Sequence, residues 1–204
     1  MNGAAAKLRA LFAGFEALYQ TRTGLDPVAV VRAVPHGPRE TLLLREVDDA
    51  LELALVFAQP TLERLAARPL EASLSDDGLA EMLPVLEGLS HLVYVAEAAR
   101  CDRPVSGLEL ETQAEVDKLA MVVLHRWPID ASTFERLVER LYVRFELLPQ
   151  DARLRHRYEH ANRIALRFAS VLRGPVRSRR IGEVRSTLRR FWHSTMDGKR
   201  AQAA

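Results

Sequence analysis

SDDGLAEMLPVLEGLSHLVYVAEAAR, residues 75–100, decides how the chain is read. Beyond Glu87 the stretch is apolar on almost every face, through Leu89, Leu92, Val93, Tyr94, Val95, Ala96 and Ala98. A helix that is hydrophobic all round has no solvent side, so it belongs in the middle of a bundle. Pro84 lies inside the pattern. Lacking an N–H, it either kinks the helix or marks a break between a leading turn and the main body.

Downstream, Ser106-Gly107-Leu108-Glu109 has the capping-box pattern, in which the Ser106 hydroxyl accepts from an amide three residues on, and predicts a helix to about His125. Ser132-Thr133-Phe134-Glu135 repeats that logic and opens a helix with Phe134, Leu137, Val138, Leu141, Tyr142 and Phe145 inward, ended by Leu148-Pro149. A fourth helix from about Gln150 to Arg173 buries Leu154, Tyr158, Ala161, Ile164, Ala165, Phe168 and Val171 and stops at Gly174-Pro175. A last pattern, from about Arg180 to Ser194, sets Ile181, Val184, Leu188 and Phe191 in register.

Upstream, residues 4–21 place Leu8, Leu11, Phe12, Phe15, Leu18 and Tyr19 at helical spacing. Gly24, Pro27, Pro35, Gly37 and Pro38 then punctuate a connector with room for a helical turn around Pro27 to Arg32. Residues 40–58 fit two patterns. Leu44, Val47, Leu51 and Leu55 suit a helix, whereas Leu51, Leu53, Leu55 and Phe57 alternate as a strand would. Asp48-Asp49 at the midpoint favours a hairpin of about 41–47 and 51–57. Pro60 opens a short helix.

The fold expected is mainly α: a single compact, bundle-like domain of about six helices over residues 1–195, with a short β-hairpin at 41–57. Within it, 1–58 hold the N-terminal helix and hairpin, 60–173 the core helices and 180–195 a basic C-terminal helix; 196–204 read as a frayed tail. With 204 residues, 48% hydrophobic and 27% charged, the chain can bury a sizeable core, which excludes intrinsic disorder and a large multidomain enzyme. No apolar run approaches the roughly 18 residues that cross a bilayer, so no membrane role is expected. The Leu11 to Phe15 run is ended by Glu16 before it reaches the length of an export signal. One cysteine, Cys101, forms no internal disulfide and points to a reducing cytoplasm.

The net charge of +2 averages over a strong asymmetry. Residues 1–150 hold 15 Lys and Arg against 23 Asp and Glu, whereas residues 151–204 hold 14 against 4. Lysine occurs only at positions 7, 118 and 199. Arg153, Arg157, Arg177, Arg179, Arg180, Arg185, Arg189, Arg190 and Trp192 are the candidate contact residues: guanidinium groups pair with carboxylates or phosphates, and an exposed indole would stack on a base. His156 and His160, four apart among those cations, suggest a pH-sensitive basic surface.

No Gly-rich phosphate loop, Gly-x-Ser-x-Gly elbow or His-Glu-x-x-His motif occurs, so no catalytic residue or cofactor is assigned. Cys101 follows a helix C-terminus, where the dipole disfavours a thiolate. Glu87 and His91, and Glu111 and Glu115, each project from one side of their helices, and oxygen and nitrogen donors of this kind suit iron, manganese or zinc. The spacing differs from the Glu-x-x-His pairs of di-iron bundles. In the alternative reading Glu87 and His91 satisfy each other, and Lys118 offsets Glu115 on a solvated face. The leading expectation is a non-enzymatic cytoplasmic adaptor or regulator with an acidic protein partner. A nucleic-acid-binding regulator is second, and a carboxylate–histidine metal protein third.

Overall fold

Three strands form the sheet of this computed structural model, which describes residues 2–37, 39–48, 50–144 and 151–204. The hairpin lies where the alternation put it: β2 (Glu40–Val47) and β3 (Ala50–Ala58) pair antiparallel from Glu40↔Phe57 to Val47↔Ala50. Asp48 turns with φ +46°, a left-handed conformation Asp tolerates better than most residues. The third strand, β1 (Val31–Val34), pairs parallel to β3 with Val31 opposite Leu55, giving the order β1-β3-β2. The helical turn expected around Pro27 to Arg32 is shorter: α2 (Pro27–Val30) is capped by the Asp26 carboxylate and gives way to the strand at Val31.

The chain divides into two compact units, Met1–Pro104 and Val105–Ala204, where periodicity alone suggests one domain. Periodicity reports which face of a helix is apolar, not which faces meet. In the first unit α1 (Asn2–Tyr19) buries Leu8, Leu11, Phe12, Phe15 and Tyr19 and packs on α3 (Gln59–Ala67) and α5 (Leu79–Arg100). Lys7 Nζ donates to Leu65 O at 2.7 Å, Ala66 O at 3.0 Å and Arg68 O, neutralising carbonyls that α3 leaves without partners at its C-terminus. Between α3 and α5 lies the single turn α4 (Leu70–Ser73).

The decisive stretch is helical from Leu79 rather than Ser75, and Pro84 is carried inside it. By length and composition this helix could span a bilayer, unlike any run noted from the sequence; 78% of its apolar window is buried, which is what a core helix requires. It lies against the sheet at Gly88, where a Cβ would meet Glu40 Cγ at 2.7 Å, Leu55 Cδ1 at 2.8 Å and Phe57 Cζ at 3.0 Å. Glycine there permits the close approach.

In the second unit α6 (Gly107–His125) begins with Ser106 accepting from Glu109 N, as the capping box requires. Helix α7 (Ala131–Val138) is capped by Asp130 instead of Ser132: its Oδ1 accepts from Thr133 N at 2.9 Å. The Ser132 and Thr133 hydroxyls also donate to that carboxylate, and together these bonds hold it well below the usual range. A π-helical turn, Glu139–Val143, follows and buries Leu141 and Tyr142. Phe145, Leu148 and Pro149 lie outside the described residues.

The fourth helix, α8 (Ala152–Arg177), runs through Gly174-Pro175 instead of stopping there. Pro175 has no amide to donate to Val171 O, and Val171 is exposed rather than buried as expected, so the missing bond falls on the outer side of the helix, where it costs least. Gly174 has no Cβ to crowd the proline ring, which removes much of the pre-proline bar to helix. The helix ends in a Schellman motif: Arg180 N donates to Pro175 O and Arg179 N to Val176 O, with Arg179 at φ +53°. Leu154 and Tyr158 are only half buried. Next comes α9 (Ile181–Trp192), on which Val184, Leu188 and Phe191 are buried. Residues 196–204, expected to fray, instead form α10 (Met196–Gln202), capped by Thr195.

Candidate functional site

The cations of residues 151–204 fall into two sets. Arg157 lies 3.2 Å from Glu111, and Arg173 holds Glu135 with two bonds of 2.8 and 3.0 Å, so these two tie α8 to upstream acids. Arg157, a candidate contact residue, is therefore paired with Glu111 while 37% of its side chain stays exposed, and Gly107 makes room for it: a Cβ there would sit 2.8 Å from its guanidinium. Arg180–Glu183 and Arg200–Asp197 are local pairs one turn apart. Arg190 donates to Thr187.

Arg153, Arg177, Arg179 and Arg185 are exposed, and Arg189 is half buried. Arg155, Arg163 and Arg167, which were not candidates, are exposed as well, so guanidinium groups cover the outer arc of α8 opposite the buried Ala161, Ala165, Phe168 and Leu172. Trp192 is the clear correction. It is 3% exposed, and Phe191 beside it is buried against Phe168 with ring centroids 4.1 Å apart. The apolar register set by Ile181, Val184 and Leu188 carries both rings inward, so the Trp192 indole does not stand ready to stack on a base.

An open groove of about 910 Å³ lies along the first turns of α8. Arg153, His156, Arg157 and His160 line it at helical spacing, with Leu108, Leu154 and the capping carboxylate of Asp151. The two imidazoles stand edge to face with centroids 6.0 Å apart. His160 is pushed below its ordinary value, first by burial and then by the charges of Arg200, Arg163, His156 and Arg167. Such a surface can do one thing well, which is to bind anions: guanidinium forks meet carboxylate or phosphate oxygens two at a time.

Glu87 is half buried and His91 buried on α5, and His91 Nδ1 lies 3.2 Å from Glu40 Oε1 on β2, a partner no local spacing could reveal. On α6, Glu111 is held by Arg157 and Glu115 accepts from Lys118 at 2.7 Å. That Lys118–Glu115 pair is the one anticipated, but it is largely buried rather than on a solvated face. Glu111 and Glu115 thus each carry a cation partner in their own unit.

Sequence reasoning missed the polar centre of the second unit. Lys199 is fully buried; its Nζ donates to Gln113 Oε1 at 2.6 Å and Phe191 O at 2.7 Å and lies 4.5 Å from the Phe191 ring centroid. Gln113 in turn donates to the buried Asp117 at 2.8 Å. Tyr142, which donates to Glu115 O at 2.9 Å, is raised well above its ordinary value by burial and by the charges of Glu115 and Asp117. The available signal was the scarcity of lysine: Lys7, Lys118 and Lys199 all act as internal donors. No family model, curated protein or solved structure matches the chain.

Proposed function

We propose that the chain is a non-enzymatic binding module whose Val105–Ala204 unit docks an acidic segment of a partner protein along α8 and the α8–α9 junction. The observation that carries this reading is the outward display of Arg153, Arg177, Arg179 and Arg185 on a scaffold whose nearby aromatic residues, Phe191 and Trp192, are buried. With the α9 indole buried, the surface offers chiefly guanidinium forks beside the imidazoles of His156 and His160, a set that pairs with carboxylates two oxygens at a time without needing an unstacked base. Arg179 supports it further. A left-handed backbone is strained for arginine by about 1 kcal/mol or more, and strain of this kind collects where a side chain is needed. A cytoplasmic setting belongs to the same proposal, since the exposed thiol of Cys101 persists most readily in a reducing compartment.

The test is fluorescence anisotropy with a labelled poly-glutamate peptide and a single-stranded oligonucleotide of equal charge. The peptide should bind, and Arg179→Glu should weaken it roughly tenfold, while Arg22→Glu on the other unit changes it little. Preference for the oligonucleotide, with a steep log–log salt slope, would replace this reading by the nucleic-acid one. Failure of the peptide to bind at low salt would end it.

A further inference from the structure

The outer edge of the sheet carries a second interaction surface. Strand β2 is terminal in the order β1-β3-β2 and runs for eight residues, Glu40-Thr41-Leu42-Leu43-Leu44-Arg45-Glu46-Val47. A long, exposed, apolar edge is a template for another strand, and proteins ordinarily blunt such edges with proline, lysine or a covering element. Neither proline nor lysine occurs in β2, and its central leucines are bare: Leu43 is 54% exposed on one face and Leu44 53% on the other. Its arginine stays in solvent but is tied across the hairpin rather than over the free edge, Arg45 reaching Glu52 on β3. The opposite edge differs. There β1 is four residues long, and the Arg32 guanidinium bonds back to the carbonyls of Ala29 and Val31.

We propose that β2 pairs antiparallel with β2 of a second copy of this chain, joining two three-stranded sheets into one of six. The occupant follows from self-complementarity. A two-fold axis perpendicular to the sheet at Leu43 sets Leu43 against its own symmetry mate, Leu42 against Leu44 on both sides, and Thr41 against Arg45. Every exposed leucine then gains an apolar partner on its own face, because antiparallel pairing about such an axis keeps each residue on the face it already occupies. At the ends of the ladder Glu40 faces Glu46 of the second copy. Glu40 is already turned to His91, so the residual repulsion there predicts that the dimer tightens as salt is added. An acidic ligand on the arginine surface responds in the opposite sense, which separates the two associations.

The test is sedimentation equilibrium of the full chain over a roughly hundredfold range of concentration, where mass action exposes a dimer. Expected is a monomer–dimer equilibrium that strengthens with salt. Leu43→Lys places two ammonium groups at the axis and should weaken the dimer at least tenfold without moving the thermal midpoint at concentrations dilute enough for both forms to be monomeric, since Leu43 is largely solvent-facing there. Leu43→Cys in a Cys101→Ser background should cross-link across the axis on oxidation, giving a covalent dimer on a denaturing gel. A monomer at every concentration, or a dimer indifferent to Leu43→Lys, overturns the proposal. So does a monomer that instead binds neutral lipid vesicles through the leucines.

Discussion

Replacing Lys199 by methionine tests whether the C-terminal helix belongs to the core. The ammonium makes two short bonds, 2.6 Å to Gln113 Oε1 and 2.7 Å to Phe191 O, and lies 4.5 Å from the Phe191 ring centroid. A hydrogen bond to a charged donor contributes about 1.5–3 kcal/mol, and a desolvated cation–π contact about 2. Desolvating the ammonium opposes these by several kcal/mol. Methionine keeps the apolar stem and avoids the desolvation, but leaves the α9 carbonyl and the Gln113 oxygen without that donor in a site closed to water. The expected loss is about 3–5 kcal/mol, the range for breaking a buried charged interaction from one side.

Urea unfolding followed by tryptophan emission is the assay. Both indoles, Trp127 and Trp192, belong to the Val105–Ala204 unit, so the signal reports on that unit directly. With a slope of about 1–2 kcal/mol/M, the midpoint should fall by about 1.5 M or more. A chain ending at Ser194 should lose at least as much. A loss below about 1 kcal/mol from either change would mean that residues 196–204 fray and that the Lys199 contacts contribute little.

Two glycines should respond with opposite signs. Gly88→Ala drives a methyl into Glu40, Leu55 and Phe57 and should cost about 1–3 kcal/mol in a thermal melt, whereas Gly182→Ala, on α9 with open space around it, should gain up to about 1. Arg179→Gly relieves the left-handed backbone and should stabilise by about 0.5–1 kcal/mol while weakening poly-glutamate binding, a trade visible by pairing melts with anisotropy. An anion in the α8 groove offsets Arg163, Arg167 and Arg200 around His160 and raises its depressed value, so affinity should rise as pH falls from about 7.5 to 5.5. His156→Gln with His160→Gln should flatten that profile. Glu97, held down to about 2 chiefly by its bond to Arg100, adds stability above its ordinary 4.5 that is lost as pH falls toward 2. Glu97→Gln should therefore matter at pH 7 and not at pH 2, as read from the thermal midpoint.

What local pattern encodes was legible. The hairpin announces itself by alternation around Asp48, the core helix by its all-round apolarity, and the capping box at Ser106 by hydroxyl and carboxylate three residues apart. What pairing at a distance decides was not. Strand β1 is four residues in a proline-punctuated connector, made a strand only by its parallel partner β3. Helix α8 passes Gly174-Pro175 where the turn before the proline is exposed at Val171 and the residue preceding the proline lacks a Cβ, neither of which a stop signal records. Charge asymmetry located the arginine-rich stretch along the chain but overlooked Arg155, Arg163 and Arg167, which are exposed as well. It also kept Trp192, whose helical register buries it, and could not show that Arg157 pairs with Glu111, far away in sequence.

The length of α8 limits what can occupy its outer arc. From Arg153 to Arg177 is about 36 Å at a rise of 1.5 Å per residue, so a fully extended ligand needs about ten or eleven residues to touch both ends. A shorter acidic motif meets only one end, and two such motifs joined by a flexible tether would bind far more tightly than either alone. Valency, more than charge density, would then tell one acidic ligand from another.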